Sequence, residues 1–253
     1  MKKLLMIMLA VVIFGACDSR KAEDQKEEDT STTAPVSEVK TENQLSDAQK
    51  SEGWKLLFNG ENTDGWEFYK DKENNSWEIV DGTLHCKADT TLKRADLRTV
   101  EQFENFELAF DWKIAPGHNS GVIYRSTEEF DEPYLSGPEY QVIDDKGYNG
   151  GNLKDTQLSG ANYDMHAAAS TKSVNPPGEW NSGRILVNGN HVEHWLNDSK
   201  VVEYELNSPE WKKLKAGSKW KDAKGYGVAK KGSIDLQDHG GEVWYRNVMI
   251  KTL

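Results

Sequence analysis

Asn188-Gly189 separates two runs in which apolar and polar residues alternate, Arg184-Ile185-Leu186-Val187 and His191-Val192-Glu193-His194-Trp195-Leu196. Alternation of this kind fits a strand with one buried face, because successive side chains leave a strand on opposite sides. Asn-Gly between two such runs predicts a hairpin, since both central residues of a type I′ turn need positive φ. The pattern recurs at 106–112 and 121–125, and Asn197-Asp198 predicts a second turn leading into 200–206. One helix is predicted, from Pro209 to about Asp222, with Ser208 as N-cap, Pro209 at the first helical position and Gly225 past its end. Many short strands and one late helix predict an all-β fold, an antiparallel β-sandwich or jelly roll, rather than an α/β fold. Such a sandwich offers one large curved sheet face as a ligand groove.

The strand pattern begins only after residue 50. Lys2-Lys3, the apolar run from Leu4 to Phe14 and the small pair Gly15-Ala16 have the three parts of a secretory signal. The apolar stretch is too short for the ~20 residues of a spanning helix. Phe14-Gly15-Ala16-Cys17 resembles the lipobox of bacterial lipoproteins. That resemblance implies removal of 1–16, diacylation of Cys17, and lipid anchoring to the outer membrane of a Gram-negative cell envelope, on its periplasmic or surface side. Residues 17–50 are polar and lack aromatics, so they are expected to form a disordered acidic tether. Their early acids, Glu23-Asp24 and Glu27-Glu28-Asp29, resemble the export signals of surface lipoproteins. The domain is therefore expected to span 51–253. With Cys17 lipidated, Cys86 is the remaining cysteine, which excludes a disulfide framework and a cysteine zinc site.

A formal charge of −11 excludes a phosphate-neutralising nucleic-acid binder and favours a neutral ligand. Nine Trp and nine Tyr against seven Phe favour aromatics with a polar handle, as a sugar-binding surface has.

No nucleophile elbow, zinc-protease helix, P-loop or dinucleotide fingerprint occurs. What stands out is 137–145, where alternation puts Glu139, Gln141 and Ile143 on one strand face and Tyr140, Val142 and Asp144 on the other. A carboxylate beside an amide points to a ligand-facing row or to an edge strand wetted by solvent. In 235–241, Asp235, Gln237 and His239 alternate onto one face ahead of Gly240-Gly241. His239 titrates near neutrality and suits acid or base work. Arg125, at the end of an otherwise apolar strand, could polarise a carbonyl. His166, His194, and Trp180-Asn181 in a Pro-rich loop are further candidates, and His166, His194 and His239 form a conceivable three-histidine metal set without ligand spacing.

Seven phrases follow one another along the chain: Leu56-Leu57-Phe58-Asn59-Gly60 with Gly65-Trp66, Trp77-Glu78-Ile79-Val80-Asp81-Gly82-Thr83-Leu84, Asn119-Ser120-Gly121-Val122-Ile123-Tyr124-Arg125, Gly137-Pro138-Glu139-Tyr140-Gln141, Gly178-Glu179-Trp180-Asn181, His194-Trp195-Leu196-Asn197 and Leu236-Gln237-Asp238-His239-Gly240. Together they resemble the 3-keto-disaccharide hydrolase family over residues 51–253. The resemblance implies a concanavalin A-like, glucanase-like jelly roll and action on glycosides oxidised at C3 of the sugar.

A C3 carbonyl acidifies the C2 proton, so a base can form an enolate that expels the C1 substituent, and water then adds to the enone. This route needs a base, a donor or cation at the enolate oxygen, and an acid for the leaving group. The expected catalytic set is His239 or Glu139 as base, Arg125 or a divalent metal at the enolate, and Asp144 or His166 at the leaving group. Gln141, Gln237, Trp180, Asn181 and His194 are expected to hold the sugar. The expected partners are a 3-keto sugar or glycan, a sugar 3-dehydrogenase supplying it, and the membrane. The alternative is a non-catalytic, lectin-like surface glycan-binding lipoprotein of the same fold.

Overall fold

The structure, a computed structural model, describes residues 42–253. The signal sequence, Cys17 and the tether up to residue 41 lie outside the described residues. Short segments come first: helix α1 (Asp47–Ser51), then strands β1 (Trp54–Leu56), β2 (Trp66–Phe68), β3 (Trp77–Val80), β4 (Thr83–Cys86) and β5 (Leu97–Thr99). The long strands follow, β6 (Phe106–Ile114), β7 (Asn119–Ser126) and β8 (Glu139–Ile143), then the meander β9 (Asn181–Asn188), β10 (His191–Leu196) and β11 (Ser199–Glu205). Helix α2 (Pro209–Gly217) precedes β12 (Ser233–Leu236) and β13 (Val243–Thr252).

These strands form two antiparallel sheets, β11-β10-β9-β6-β13-β4-β3 with β1 added on β13, and β2-β5-β12-β7-β8. The predicted β-sandwich of jelly-roll type is thus found. Strand β6 shows why: Phe106, Leu108, Phe110 and Trp112 are buried on one face, while the residues between them are half-exposed on the other. They meet Val122, Tyr124, Tyr140 and Val142 of the smaller sheet in one core. Phe110 and Tyr140 pack edge to face at 5.3 Å. Burying each such side chain stabilises the fold by roughly 1.5–3 kcal/mol.

The turns refine the sequence expectation. Asn188 pairs with His191, so the first loop is Gly189-Asn190, with Gly189 at φ +63°. Glycine as first central residue is the type II′ arrangement, one residue later than the Asn-Gly pair suggests. At Asn197-Asp198 both φ values are positive, as type I′ requires. The predicted 209–222 helix breaks at Ser218, whose backbone is extended; α2 ends at Gly217 and a 3-10 turn, Lys219–Asp222, follows.

The ordered domain starts before residue 51, which corrects the tether boundary. Ser46 caps α1 in a reciprocal capping box with Gln49. Asn43 is buried: its N–H donates to Asn247 Oδ1 (2.6 Å), its Oδ1 accepts the Asn247 N–H (2.8 Å), and its side-chain amide donates to the Gly82 carbonyl. The bulge in β13, with Asn247 at φ +52°, presents these groups. Among the described residues no helix is long and apolar enough to cross a membrane.

Candidate active site

Strands β6, β9 and β10 of the larger sheet alternate buried and half-exposed residues, but β7 and β8 of the smaller sheet are buried along their whole length. Loops cover the outer face of the smaller sheet, and that face is polar. Register aligns its side chains in rows. Arg98 of β5 pairs with Asp235 of β12, Asp235 with Ile123 of β7, and Ile123 with Glu139 of β8. In the adjoining row, Gln237 donates its backbone N–H to Gly121, and Gly121 pairs with Gln141.

At the β8 end of these rows lies a cavity of about 200 Å³ lined by Asn119, Tyr134, Glu139, Gln141, Tyr163, Lys219, Gln237 and His239. Its size is below the ~300–1,000 Å³ of sites for drug-sized ligands, so it suits a single ring. Two expected catalytic residues, Glu139 and His239, therefore meet two expected binding residues, Gln141 and Gln237.

Glu139 is buried, and loss of hydration pushes its carboxyl up to about 7, against the pull of the Lys219 charge. A carboxylate balanced near neutrality suits a general base. Both side-chain heteroatoms of Gln141 and the Oε1 of Gln237 are buried without a hydrogen-bond partner. Each such orphan costs about 1–3 kcal/mol, which hydroxyl groups of a ligand would offset. A cavity of about 170 Å³ on the larger sheet, beside Arg184 and Trp195, has no orphaned buried polar atom in its lining.

His239 and Lys219 stand at the mouth. Both are exposed as residues, yet neighbours crowd them enough that loss of hydration lowers the pKa of each. The His239 loop is clamped through the preceding residue: the Asp238 carboxylate takes Ser76 Oγ–H (2.6 Å), the Gly240 N–H (3.0 Å) and Arg94, while the Asp238 N–H donates to Asp96 (2.7 Å). The Lys219 ammonium lies 4.0 Å from the Tyr163 ring centre and 4.2 Å from that of Trp220. In the sequence Lys219 looks like an ordinary cation near a helix C-terminus; after the break at Ser218 it lies over the Tyr163 and Trp220 rings. Asn119 opens one of the quoted phrases and Tyr163 lies outside them all, and nothing in the spacing of either marks it as a site residue.

The other expectations are corrected. Arg125 is the extra residue of a bulge in β7, with φ +53°. The bulge carries its guanidinium away from the cavity, to the Glu104 and Gly189 carbonyls and Asn105 Oδ1. Asp144 follows β8 and clips a loop: burial opposes its charge, but the N–H groups of Gly117, Lys146 and Gly147 prevail and hold its pKa below the usual carboxylate range. His166 stacks on Tyr204 at 4.4 Å, its Nδ1 faces the Asn162 amide, and burial pushes its pKa down to about 4.

His194 is a core residue: Nδ1 donates to the Gly160 carbonyl (3.0 Å), Nε2 accepts from Tyr124 Oη (2.9 Å), and burial pushes its pKa down to about 3. With both nitrogens engaged it can neither hold the sugar nor join His166 and His239 around a metal. Trp180 lies under Lys113 and Arg246 of the larger sheet, and Asn181 is tied to Asn175 and Asn197. Among the described residues, the group of histidine and carboxylate ligand atoms close enough for one metal ion is His191, Glu193 and Glu203, on the larger sheet and away from this cavity.

A family model described as a 3-keto-alpha-glucoside-1,2-lyase-like domain matches residues 53–251. A 3-keto-disaccharide hydrolase of Bacteroides thetaiotaomicron is 32% identical over 279 aligned positions, covering 97% of this chain and 96% of that protein. A candidate glycosyl hydrolase of Parabacteroides distasonis, known as a crystal structure, superposes with a TM-score of 0.77 at 38% identity over 84% of this chain and all of that one. A second from the same organism has a TM-score of 0.63 at 32% identity, over 79% of this chain and 99% of that one.

Proposed function

Because the chain belongs to the 3-keto-alpha-glucoside-1,2-lyase-like family, we propose that it cleaves the glycosidic bond of 3-keto-disaccharides and related 3-keto-glycosides by C2 proton abstraction, elimination of the C1 substituent and hydration. The observation that carries this reading is the buried Glu139 beside unpartnered amides in a ring-sized cavity. Glu139 takes the C2 proton. The electron pair moves into the C2–C3 bond, and charge grows on the C3 oxygen. Neutral donors aimed at that oxygen stabilise it without reorganising, as an oxyanion hole does. The Gln141 amide, buried and lacking a partner, fills that role in place of Arg125. Gln237 and Asn119 hold ring hydroxyls. His239, whose pKa loss of hydration lowers, accepts a proton from the water that later adds at C1.

The 3-keto substrate requires prior oxidation at C3 by a sugar dehydrogenase. The Cys17 lipid would keep both activities in the cell envelope; recovery of the full-length chain in the aqueous phase after detergent partitioning would remove this element. The catalytic reading is tested by incubating the full-length protein with a 3-keto-disaccharide and with its unoxidised parent. Release of sugar from the first alone is expected. Tight binding of both with release from neither would make the protein a lectin-like binder instead.

A further inference from the structure

Past Lys219 the cleft continues. A second, open recess of about 670 Å³ runs along α2, and Lys219 borders both it and the ring-sized cavity. The two differ in chemistry. The smaller is lined by polar side chains throughout, whereas the larger sets apolar surface, Leu214 left 42% exposed and the buried Met165, beside the charged Lys154, Asp164, Glu210 and Lys213. Gly217 also lines it, and a Cβ there would meet no atom within 4 Å. Two acidic groups face Lys219: Glu139 inside the cavity, and Asp164, which is already engaged, pairing with Lys154 at 3.6 Å and accepting the Lys219 backbone N–H at 3.3 Å. No hydrogen-bond acceptor among the described residues takes the Lys219 ammonium, which rests on two aromatic rings.

A glycosidic bond joins a ring to its leaving group, and Lys219 stands where the ring-sized cavity gives way to the larger one. We infer that the recess along α2 receives the leaving group, that this group is an aryl aglycone with an apolar body, and that Lys219 gives a proton to the departing glycosidic oxygen, all of which rests on the elimination chemistry proposed above. As the C1–O bond breaks, its electron pair goes to the oxygen, which takes the Lys219 proton and leaves as a neutral phenol. The products are the 1,2-unsaturated 3-keto sugar and the phenol. Water then supplies hydroxide to C1 and, by way of His239, a proton to Lys219, while Glu139, its proton exchanged with solvent, protonates C2, so that protons and electrons balance.

The test compares phenyl 3-keto-glucoside with 3-keto-glucosyl fluoride, each in both anomers, on the full-length protein. Fluoride leaves without a proton and does not reach the recess. Gly217→Trp fills the recess, and Leu214→Glu, at an exposed position, repeats the test should the first variant not fold. Either should lower the phenyl-to-fluoride ratio of kcat/KM at least tenfold. Lys219→Met should lower the same ratio at least tenfold, which a merely structural role for Lys219 would not do. An unchanged ratio in both recess variants overturns the subsite, and an unchanged ratio in Lys219→Met overturns the proton transfer. Cleavage of the fluoride but not the phenyl glucoside by the unmodified protein overturns the aryl aglycone while leaving the elimination chemistry intact. Cleavage of neither overturns the function itself.

Discussion

Gly121 lies beneath the Glu139 side chain: a Cβ on Gly121 would collide with the Glu139 Cγ, Cδ and Oε1. Gly121 pairs with Gln141 and its second neighbour Ile123 with Glu139, so the glutamate leans across the sheet toward the amide row. The missing side chain at 121 is what lets a buried carboxyl reach the cavity. Gly121→Ala should push Glu139 out of place and lower kcat/KM at least tenfold, with a stability loss of about 1–3 kcal/mol from overpacking. Steady-state kinetics beside urea unfolding checks this; wild-type kinetics in a folded variant would contradict it.

Glu139 must be ionised to act as base. With its carboxyl pushed up to about 7 by burial, kcat/KM should rise as pH increases through about 7. Glu139→Gln should lower turnover by ~10²–10⁴ and abolish that rise. A rising limb that survives the substitution would assign the base elsewhere, with His239 the first alternative.

Burial also raises Asp235 to about 7, with Ser126 and Arg98 offsetting part of the effect. Raised carboxyl values make the folded state hold protons that the unfolded chain has released above about pH 4. The stability these groups contribute is therefore fully present below the unfolded values and is lost as pH rises through about 7. Asp235→Asn stays neutral, so it should flatten the decline between pH 5 and 8 and be the more stable protein at pH 8, by on the order of 2–4 kcal/mol. Calorimetry across that range decides; a variant less stable at pH 8 than at pH 5 by as much as wild type would contradict it.

Arg125 binds main-chain and amide oxygens near Glu104 and Gly189, far from the chemistry. Its removal strands buried acceptors, each costing about 1–3 kcal/mol. Arg125→Met should lower the melting temperature yet leave the kcat of the folded protein within about threefold. A large fall in kcat with unchanged stability would restore the role first expected of it.

Arg125 also shows what sequence alone cannot carry. Alternation placed Glu139, Gln141 and Gln237 correctly because β8 and β12 run straight. It misplaced Arg125 because Arg125 is itself the extra residue of the β7 bulge, where the two-residue alternation of a strand does not hold. The sandwich was legible in the strand periods and turn residues, including the left-handed pair Asn197-Asp198. Lys219 was not, since its place depends on the break at Ser218 and on rings brought from residues 163 and 220. Asn43 was hidden in a polar stretch without aromatics, and only its partner Asn247, two hundred residues on, gives it a place in the domain. His194 looked like a sugar ligand on its hairpin strand, but even-numbered residues of β10 face the core.

The central claim is that Glu139 removes the C2 proton of a 3-keto-glycoside. Cleavage of a 3-keto-disaccharide in deuterated water, followed by mass and NMR analysis of the released 3-keto sugar, tests it most directly. The account predicts one solvent deuteron at C2 of the product from the wild-type protein and the loss of both cleavage and exchange in Glu139→Gln. Cleavage that leaves the C2 hydrogen in place, after correction for exchange in the free product and substrate, would contradict it.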